Sequence, residues 1–369
     1  MKKVVVSVTN DLVSDQRVQR TISVLREQGF EPAFIGRKLP HSPAIELPYS
    51  TRRFALWFRK GFLFYATYNL RLFWYLLFNR FDLYLSNDLD TLLPNFLVSK
   101  LYNKPLIYDS HEYFTGVPEI QQRPFVKWVW TRLEGFLFPR LSEVVTVNES
   151  IAELYRQQYG KQVEVVRNIS DARLPAERVS RQELGLPPHA FLLLNQGAGI
   201  NIDRGMEECL EALPLLPPEV MLMIVGSGDA LPGLKQMASQ LNLEHRVFFI
   251  PRQPYLKMLQ YTLQADAGLS LDKPTSPNYQ YSLPNKIFDY IKCGLPVVVS
   301  SVVEVKKVVE AYEIGAICSD HQPKNIAQAI LSVKSKGKTV FKKGLAKAAT
   351  ENNWQRERQV WEKIFRRYR

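Results

Sequence analysis

Residues 282–300, SLPNKIFDYIKCGLPVVVS, restrict the fold of this chain more than any other segment. Ile287 and Ile291 recur at helical spacing, and Gly294 stands where a helix would stop. The apolar run at 297–299 is typical of a short buried strand. A helix that passes through one glycine into a buried strand is the usual connection in proteins with parallel sheets covered by helices. The segment therefore predicts an α/β fold.

Strand and helix patterns alternate along the rest of the chain as well. They predict two doubly wound domains of similar size, each with a parallel sheet and helices on both faces. Residues 167–189 are irregular and contain three prolines, which is typical of a linker. We expect domains at 1–167 and 168–345 and a basic C-terminal helix at 346–369. The predicted strands are 3–8, 32–35, 83–85, 106–108, 144–147, 163–166, 191–195, 222–225, 247–249, 267–271 and 297–299.

The composition is that of a globular protein from a reducing compartment. Apolar residues make up 46% of the 369 residues and charged residues 23%, which excludes a disordered chain. The three cysteines form no CxxC pair, and such a sparse, odd set argues against disulfide bonds. The apolar run at 4–8 is too short for the core of a signal peptide. We expect a cytoplasmic protein, or a peripheral one on the inner face of the cell membrane.

The net charge of +12 is concentrated near the C-terminus. Residues 334–369 hold twelve Lys or Arg residues and three Glu residues. Three explanations are open: a solvated helix face, attraction to anionic lipid, and nucleic-acid binding. No nucleic-acid recognition motif accompanies the charge, so we expect no nucleic-acid partner.

Residues 54–81 hold twelve aromatic residues and four cations without one acidic residue. The longest uncharged run there, 61–70, is too short to span a bilayer. Rings and cations interleaved on a helix suit the headgroup region of a membrane. The alternative is a helix packed against the sheet, and one helix can do both with two faces. We expect an anionic membrane surface as a partner.

Two glycine-rich loops in the second half are suited to binding a diphosphate. One follows the strand at 191–195 and the other follows the strand at 222–225. Glycine lets the backbone approach a phosphate closely, and the forked donors of an arginine match phosphate oxygens. Either loop alone could equally be a plain connection. The candidate residues are Gly197, Gly199, Arg204, Gly226 and Gly228.

The helix that begins near residue 285 offers a third element of the same site. Free backbone N–H groups at a helix start attract anions, and Lys286 adds a full charge there. Asp289 lies one turn further along the same face, where a carboxylate could bind a sugar hydroxyl. We expect Ser282 and Asn285, at the helix start, to contribute further contacts to the donor.

Polar residues also follow two predicted strands of the first half, at 3–8 and 106–108. A lone histidine is more often structural than catalytic, but ligands of α/β sheets bind at the carboxyl ends of strands. The alternative for the first loop is capping of the next helix by Asp11, Ser14 or Asp15. The candidates for contact with a second substrate are Asn10, Asp11, Arg17, His111 and Glu112.

Several of these segments resemble glycosyltransferase family 4, and the resemblance extends over nearly the whole chain. FDYIKCGLPVVVS at 288–300 is similar to the family block that joins an acidic residue to Cys-Gly-x-Pro-Val-Val-x-Ser. The loop ending in Arg204-Gly205 and the VGSG loop at 225–228 resemble the glycine loops of the family. DSHE at 109–112 resembles the histidine element of its acceptor domain.

The resemblance implies the GT-B fold, in which two Rossmann-like domains face a cleft and the C-terminal helix crosses back to the first domain. It implies a nucleoside diphosphate sugar bound mainly by the second domain and transferred with retention. Arg204 and Lys286 would neutralise the leaving diphosphate, Asp289 would hold the ribose, and His111 would contact the transferred sugar. It implies no metal or other cofactor. The acceptor would be lipid-linked or a saccharide.

One position departs from the family pattern. The family usually has an acidic residue eight positions before the one matched by Asp289, and this chain has Tyr281 there. Asn278, Tyr279 or Ser282 could take over the contact with the sugar. We expect a hexosyltransferase in cell-surface polysaccharide or glycolipid synthesis. The alternatives are an epimerase of nucleotide sugars and an inactive binding protein on the same fold.

Overall fold

The computed structural model describes residues 1–13 and 15–369. Its backbone forms two compact units. Unit 1 comprises Met1–Asn168 together with Gln355–Arg369, and unit 2 comprises Ile169–Trp354. Each unit is built on one parallel sheet with helices between its strands, so the predicted α/β class with two Rossmann-like domains is confirmed. The return of the C-terminal segment to the first unit is also as predicted.

The sheet of unit 1 has seven strands within the described residues and runs in the order β3-β2-β1-β4-β5-β6-β7, with parallel neighbours throughout. Val4, Val5 and Val6 lie in an inner strand of this sheet and are fully buried, as expected for a parallel sheet covered on both faces. The strands are β1 Lys3–Ser7, β2 Glu31–Lys38, β3 Ser50–Ala55, β4 Leu83–Asn87, β5 Leu106–Ser110, β6 Glu143–Thr146 and β7 Glu164–Val165.

The helices of unit 1 connect these strands. The helices are α1 Gln16–Glu27, α2 Gly61–Phe78, α3 Leu89–Leu101, α4 Pro118–Gln121, α5 Pro124–Leu137 and α6 Glu149–Tyr159. Asp15 caps α1, because its carboxylate accepts a hydrogen bond from the Val18 N–H at 3.2 Å. This agrees with the capping alternative for the loop after β1. Ser14, the other capping candidate there, lies outside the described residues.

The sheet of unit 2 runs in the order β10-β9-β8-β11-β12-β13, again with parallel neighbours. Its strands are β8 Phe191–Gly197, β9 Val220–Gly226, β10 Val247–Pro251, β11 Ala267–Ser270, β12 Val297–Val299 and β13 Gly315–Ile317. Its helices are α7 Met206–Ala212, α8 Leu231–Gln240, α9 Tyr255–Gln264, α10 Pro277–Gln280, α11 Asn285–Lys292, α12 Val303–Tyr312, α13 Pro323–Lys336 and α14 Lys338–Glu351.

The segment at 282–300 folds as its sequence predicts. Pro284 precedes the first turn of α11, and Gly294 ends the helix in the left-handed region with φ +67°. The Leu295 N–H donates to the Tyr290 carbonyl at 2.9 Å and leads the chain into β12. Ile287 and Ile291 are buried on the inner face of α11.

Two strands were not predicted from the sequence, and both lie at the edge of a sheet. β3 reads STRRFA and has one buried residue, Phe54, and β13 has only three residues and begins with Gly315. An edge strand has a single neighbour and a solvent side, so it lacks the apolar run by which central strands are recognised.

The predicted single helix at 346–369 is two segments. Residues 346–351 end α14, the helical conformation is interrupted at Asn352 and Asn353, and α15 Trp354–Arg366 follows. Asparagine competes for backbone hydrogen bonds and is a poor interior residue of helices. Phe365 of α15 packs edge-on against Phe30, with ring centroids 6.2 Å apart, and so anchors the segment in unit 1.

Many cations of the basic tail form ion pairs inside their own unit. Arg367 contacts Glu143 at 2.7 Å, and Lys334 contacts Glu219 at 2.9 Å. Arg358 contacts Glu362 at 2.7 Å. Exposed pairs of this kind contribute little stability, but they neutralise charge locally. The structure therefore favours the solvated helix face among the three explanations of the tail.

Candidate functional site

Each sheet has a point where the strand order reverses, and polar side chains gather there. In unit 2 this point lies between the neighbouring strands β8 and β11. Loops that leave the carboxyl ends of such strands in opposite directions open a crevice, which is where α/β sheets bind ligands. The predicted donor residues of unit 2 lie at the end of β8, at the end of its neighbour β9, or around the start of α11.

Two cationic side chains, Arg204 and Lys286, lie near this point in unit 2. The guanidinium of Arg204 forms an ion pair with the fully buried carboxylate of Asp272, with Nη1 and Oδ1 3.0 Å apart. It also stacks over the ring of Tyr279 at 4.1 Å. The ammonium of Lys286 donates to Asn195 Oδ1 at 2.7 Å. We call Arg204, Lys286 and Asp272 the cation centre.

Burial destabilises the charged form of Lys286. Burial lowers the pKa of its ammonium below the usual value, and Asp272 only partly opposes this effect, while Arg204 adds to it. A bound anion would supply the missing compensation. The cation centre is therefore suited to a ligand that brings more negative charge than Asp272 provides.

Asp289 is buried and held by two side chains. Its Oδ2 accepts from Gln196 Nε2 at 3.1 Å, and its Oδ1 accepts from the hydroxyl of Tyr255. The Oε1 atom of Gln196 accepts in turn from the hydroxyl of Thr262 at 2.6 Å. This network fixes the carboxylate in place on the inner side of α11.

The two glycine loops pack directly against each other. The Ser227 N–H donates to the Gly197 carbonyl at 3.1 Å, and the Ile200 N–H donates to the Ser227 carbonyl at 3.0 Å. A Cβ atom on Gly226 would overlap the Gly197 carbonyl, and one on Gly228 would overlap the backbone of Ile200. Gly226 and Gly228 are thus required for this packing.

Gly199 differs from the second-loop glycines. A Cβ atom there would meet no atom within 4 Å in the described structure, so the space beside it is open to a ligand. Arg204 lies in the loop before α7 and does not open the helix, which begins at Met206. Asn285 is exposed at the first position of α11, and the Ser282 hydroxyl donates to the Tyr279 carbonyl at 3.0 Å.

In unit 1 the order reverses between β1 and β4, and a charged network lies at the ends of β4 and β5. Arg17 donates through Nη2 and Nε to the two oxygens of Asp109, at 2.7 and 3.1 Å. Both side chains are buried. Burial alone would raise the pKa of Asp109, but Arg17 and His111 lower it to about 2.

Both ring nitrogens of His111 face oxygen atoms. Nε2 lies 3.1 Å from Asn87 Oδ1 and 3.2 Å from Asp109 Oδ2, and Nδ1 lies 3.4 Å from Asp88 Oδ2. Asn87 donates its Nδ2 to the Ser7 carbonyl at 3.0 Å, which leaves Oδ1 toward the histidine. Burial opposes charging of the ring, but the carboxylates of Asp88 and Asp109 raise the pKa of His111 to about 9. The ring is therefore an imidazolium at neutral pH.

Asp88 stands in an unusual backbone conformation. Its φ of 58° combined with a ψ of 165° is a region that residues other than glycine rarely enter. Its Oδ1 accepts from the His111 N–H at 2.8 Å, which helps to hold the conformation. Strained residues at the end of a central strand are concentrated in functional sites.

Two comparisons with known proteins are informative for this chain. A sequence model described as "Glycosyltransferase Family 4" matches residues 15–173, and one described as "Glycosyl transferases group 1" matches residues 179–352. The two segments together leave only 1–14, 174–178 and 353–369 unmatched. The chain belongs to glycosyltransferase family 4. No curated protein matches the sequence.

Solved structures with a similar fold include other glycosyltransferases. Sucrose-phosphate synthase from Thermosynechococcus elongatus has a TM-score of 0.83 at 18% identity, over 100% of this chain and 99% of that one. Anabaena HepE in complex with UDP-glucose has a TM-score of 0.75 at 17% identity, over 100% of both chains. WaaG, a glycosyltransferase of lipopolysaccharide biosynthesis, has a TM-score of 0.73 at 15% identity, over 98% of this chain and 99% of that one. At these identities the likeness establishes the GT-B fold.

The acceptor candidates of this glycosyltransferase differ in accessibility. Asn10 is exposed, whereas Asp11 is buried and accepts from the hydroxyl of Ser42. Arg17 is buried in its pair with Asp109, so contact with an acceptor would require that pair to open. Glu112 is half-buried beside His111.

Several site residues were not found from the sequence. Asp272 pairs with Arg204, Tyr255 and Gln196 hold Asp289, and Asp88 faces His111. The signal for Asp88 was present, because Asn87-Asp88-Leu89 repeats the Asn10-Asp11-Leu12 pattern after a strand. The Asp272 pair joins positions 68 residues apart in sequence, and local patterns carry no information on such contacts.

The described residues contain no cluster of three or more His, Cys, Asp or Glu side chains arranged to hold a metal ion. Among residues 1–13 and 15–369, no helix has both the length and the apolar character needed to cross a bilayer.

Proposed function

We propose that this family 4 glycosyltransferase moves a hexose from a nucleoside diphosphate sugar to an acceptor, with retention of the anomeric configuration. The observation that carries the proposal is the cation centre. Arg204 is paired with the buried carboxylate of Asp272, which follows β11, and Lys286 donates to Asn195 near the carboxyl end of β8. Their excess positive charge fits a diphosphate. The complex of HepE with UDP-glucose makes a uridine nucleotide the first donor to test.

The cations act mainly as the sugar leaves. Negative charge grows on the departing phosphate while the bond to the anomeric carbon breaks, and fixed cations beside it stabilise that charge. The acceptor oxygen attacks the same face of the sugar, and its proton passes to the departing phosphate. This step needs no covalent nucleophile. With Arg204 and Lys286 in place to take up the charge, we propose that no metal ion is required.

The remaining donor residues position the nucleotide. We propose that Asp289, fixed by Gln196 and Tyr255, accepts hydrogen bonds from the ribose hydroxyls. The open space at Gly199 admits the diphosphate, and Asn285 and Ser282 line its approach. Tyr279 beside Arg204 takes the sugar contact that the acidic residue usual at position 281 would make.

Donor binding is the direct test of this proposal. Ligands that bind only the folded state raise its melting temperature. We expect UDP-hexoses to raise the melting temperature, and Lys257→Ala, an exposed lysine of α9, to leave the shift unchanged. NMR of the products then separates transfer, which releases the free diphosphate, from epimerisation, which changes only the sugar. Absence of a shift with every nucleoside diphosphate sugar would contradict the proposal.

We propose that unit 1 docks on an anionic membrane. In α2 the side chains of Phe64, Tyr68, Leu72 and Leu76 are buried, so the helix does pack against its own unit. Its other face remains exposed. α5 lies beside it, with the rings of Tyr65 and Trp130 5.4 Å apart. We define the aromatic-basic surface as the exposed rings of both helices, Phe62, Trp74, Phe78, Phe125, Trp128 and Phe136, with the cations around them.

Charge on this surface has one sign. Arg132 lies over Trp128 at 5.9 Å, and Arg140 lies over Phe136 at 4.2 Å. Within α2 and α5 the one acidic residue is Glu134, which is fully buried. A surface of exposed rings and cations complements the headgroup region of an anionic bilayer. The location would suit a role in cell-surface polysaccharide or glycolipid synthesis on the cytoplasmic face.

Vesicle binding tests this location. We expect co-sedimentation with vesicles containing phosphatidylglycerol, weakening as salt rises because the attraction is screened. Trp74→Ser and Trp128→Ser should each weaken binding several-fold, because less apolar surface enters the interface. Leu256→Ser, an exposed apolar residue of unit 2, is the matched control. Equal binding by all variants would show that the aromatic-basic surface is not the docking site.

A further inference from the structure

A cationic pocket of unit 1 has no place in the function described so far. It lies where β2 and β3 end and α2 begins, with a volume of about 270 Å³. It is lined by Arg37, Lys38, Leu39, Pro40, Ala55, Leu56, Phe58, Arg59 and Phe64. We call it the β2–β3 pocket. Three of these residues are cations, and the lining contains no carboxylate.

The cations of the pocket have no acidic partner among the described residues. Within the described part of the chain, Arg37, Lys38 and Arg59 form no ion pair, whereas neighbouring Arg53 lies 3.4 Å from Asp11. The Nε atom of Arg37 is buried, and no described residue accepts its hydrogen bond. Its guanidinium is held over the Phe64 ring at 5.0 Å. A buried donor without an acceptor is costly, and a bound anion would relieve that cost.

The pocket adjoins the loop predicted to bind the acceptor. The Arg37 N–H donates to the Asn10 carbonyl at 3.1 Å, so the loop after β1 borders the end of β2. Gly36 allows this approach, because a Cβ atom there would overlap Asn10 and Leu12. An anion in the pocket would therefore lie close to the loop that carries Asn10.

The rim of the pocket is apolar. Leu56 and Phe58 line it, and the adjacent side chains of Trp57 and Phe62 are 93% and 79% exposed. Large rings seldom remain so exposed without a function. A cationic pocket with an aromatic rim fits a molecule that has an anionic head and an apolar tail.

We propose that the β2–β3 pocket binds the phosphate of a lipid-linked acceptor, with Arg37, Lys38 and Arg59 around the phosphate and the lipid chain along Trp57, Phe58 and Phe62. The inference rests on the proposed transferase function and names the class of its acceptor. A free phosphate would use the cations but would gain nothing from the exposed rings, which is why we choose the lipid as the source.

Calorimetric titration of the full chain with decyl phosphate, below its micelle concentration, tests the pocket. We expect binding at least about tenfold tighter than that of inorganic phosphate or of uncharged decyl glucoside. Arg59→Gln and Lys38→Gln, both exposed and harmless to folding, should each weaken decyl phosphate binding by about tenfold, as should Arg37→Gln. Arg52→Gln removes an equal charge from exposed β3 outside the pocket and should leave binding unchanged.

UDP titration in the same samples separates the two proposals. UDP should bind all four variants like the unaltered chain, because their substitutions lie outside unit 2. If the unaltered chain does not bind UDP, the result counts against the transferase proposal and not against the pocket proposal. The pocket proposal is overturned if decyl phosphate does not bind or if Arg52→Gln weakens it as much as Arg59→Gln. Inorganic phosphate binding as tightly as decyl phosphate would make free phosphate the ligand and overturn the lipid assignment.

Discussion

Replacement of Lys286 by alanine should lower the turnover of sugar transfer by on the order of a hundredfold or more. The ammonium of Lys286 lies beside Asn195 in the cation centre, where we place the departing diphosphate. Removal of a fixed charge that stabilises the leaving group acts on the transition state more than on the bound substrate. The effect should therefore appear mainly in kcat. Arg204→Ala should have an effect of similar size.

The pH dependence gives this prediction a second readout. The pKa of Lys286 is lowered by burial, so the ligand-free enzyme loses this proton at a lower pH than an ordinary lysine would. Diphosphate favours the charged form, so UDP binding takes up a proton and weakens as the pH rises through that lowered pKa. Lys286→Ala should lack this dependence on pH, whereas Lys286→Arg should keep its charge and bind UDP at every pH tested.

Structural damage must be separated from lost chemistry in these variants. Arg204→Ala leaves Asp272 buried without its partner, which is itself destabilising. Thermal unfolding of each variant should therefore accompany the kinetics. Lys257→Ala removes an exposed lysine elsewhere in unit 2 and serves as the matched control. Near-normal turnover in both Lys286→Ala and Arg204→Ala would rule out the proposed role of the cation centre.

Gly226→Ala should destabilise unit 2 by about 3 kcal/mol or more. Gly226 ends β9 with φ +150°, a conformation that residues with a side chain avoid. The added Cβ atom would overlap the Gly197 carbonyl, and both overlapping groups are backbone within the packed glycine loops. Relief of the overlap would require the loops to separate and the Ser227–Gly197 hydrogen bond to break.

Denaturant unfolding of the full chain measures this effect. Gly233→Ala is the matched control, because its added Cβ atom would meet no described atom within 4 Å and its position inside α8 favours alanine. We expect Gly233→Ala to be neutral or to stabilise by about 0.5–1 kcal/mol. An unfolding midpoint of Gly226→Ala equal to that of the unaltered chain would disprove the packing role. Donor binding by Gly226→Ala should weaken as well, because the added Cβ atom overlaps Gly197, which is a predicted donor-binding residue.

Local sequence patterns were sufficient to predict the elements that are defined by residues close together in the sequence. The prediction started α11 near residue 285 and ended it before Gly294, as observed, and it placed β12 at its observed residues. Helical spacing, a glycine in the left-handed region and a run of valines act over a few residues each. The glycine loops and Lys286 were recognisable for the same reason. The edge strands β3 and β13 were not, because sheet pairing defines them and their side chains do not.

The charged partners of the site depend on contacts between distant segments. Arg17 and Asp109 are 92 residues apart, and Gln196 and Asp289 are 93 apart. Neither pair leaves a periodic signal. The sequence also made Arg17 a candidate for contact with the second substrate, whereas the fold places it in a buried ion pair. The position of Arg17 in the sequence is compatible with either role.

The amino-acid sequence by itself determined the α/β class, the two-domain organisation and the family of this protein. These follow from short-range periodicity and from motifs in which every residue lies within a few positions of the next. Only the tertiary structure decided that Asp272 holds Arg204, that Asp88 and Asp109 favour the charged form of His111, and that Arg37 forms no ion pair with a described residue. Those properties are electrostatic and depend on which distant side chains become neighbours, and on how much water the fold removes from between them.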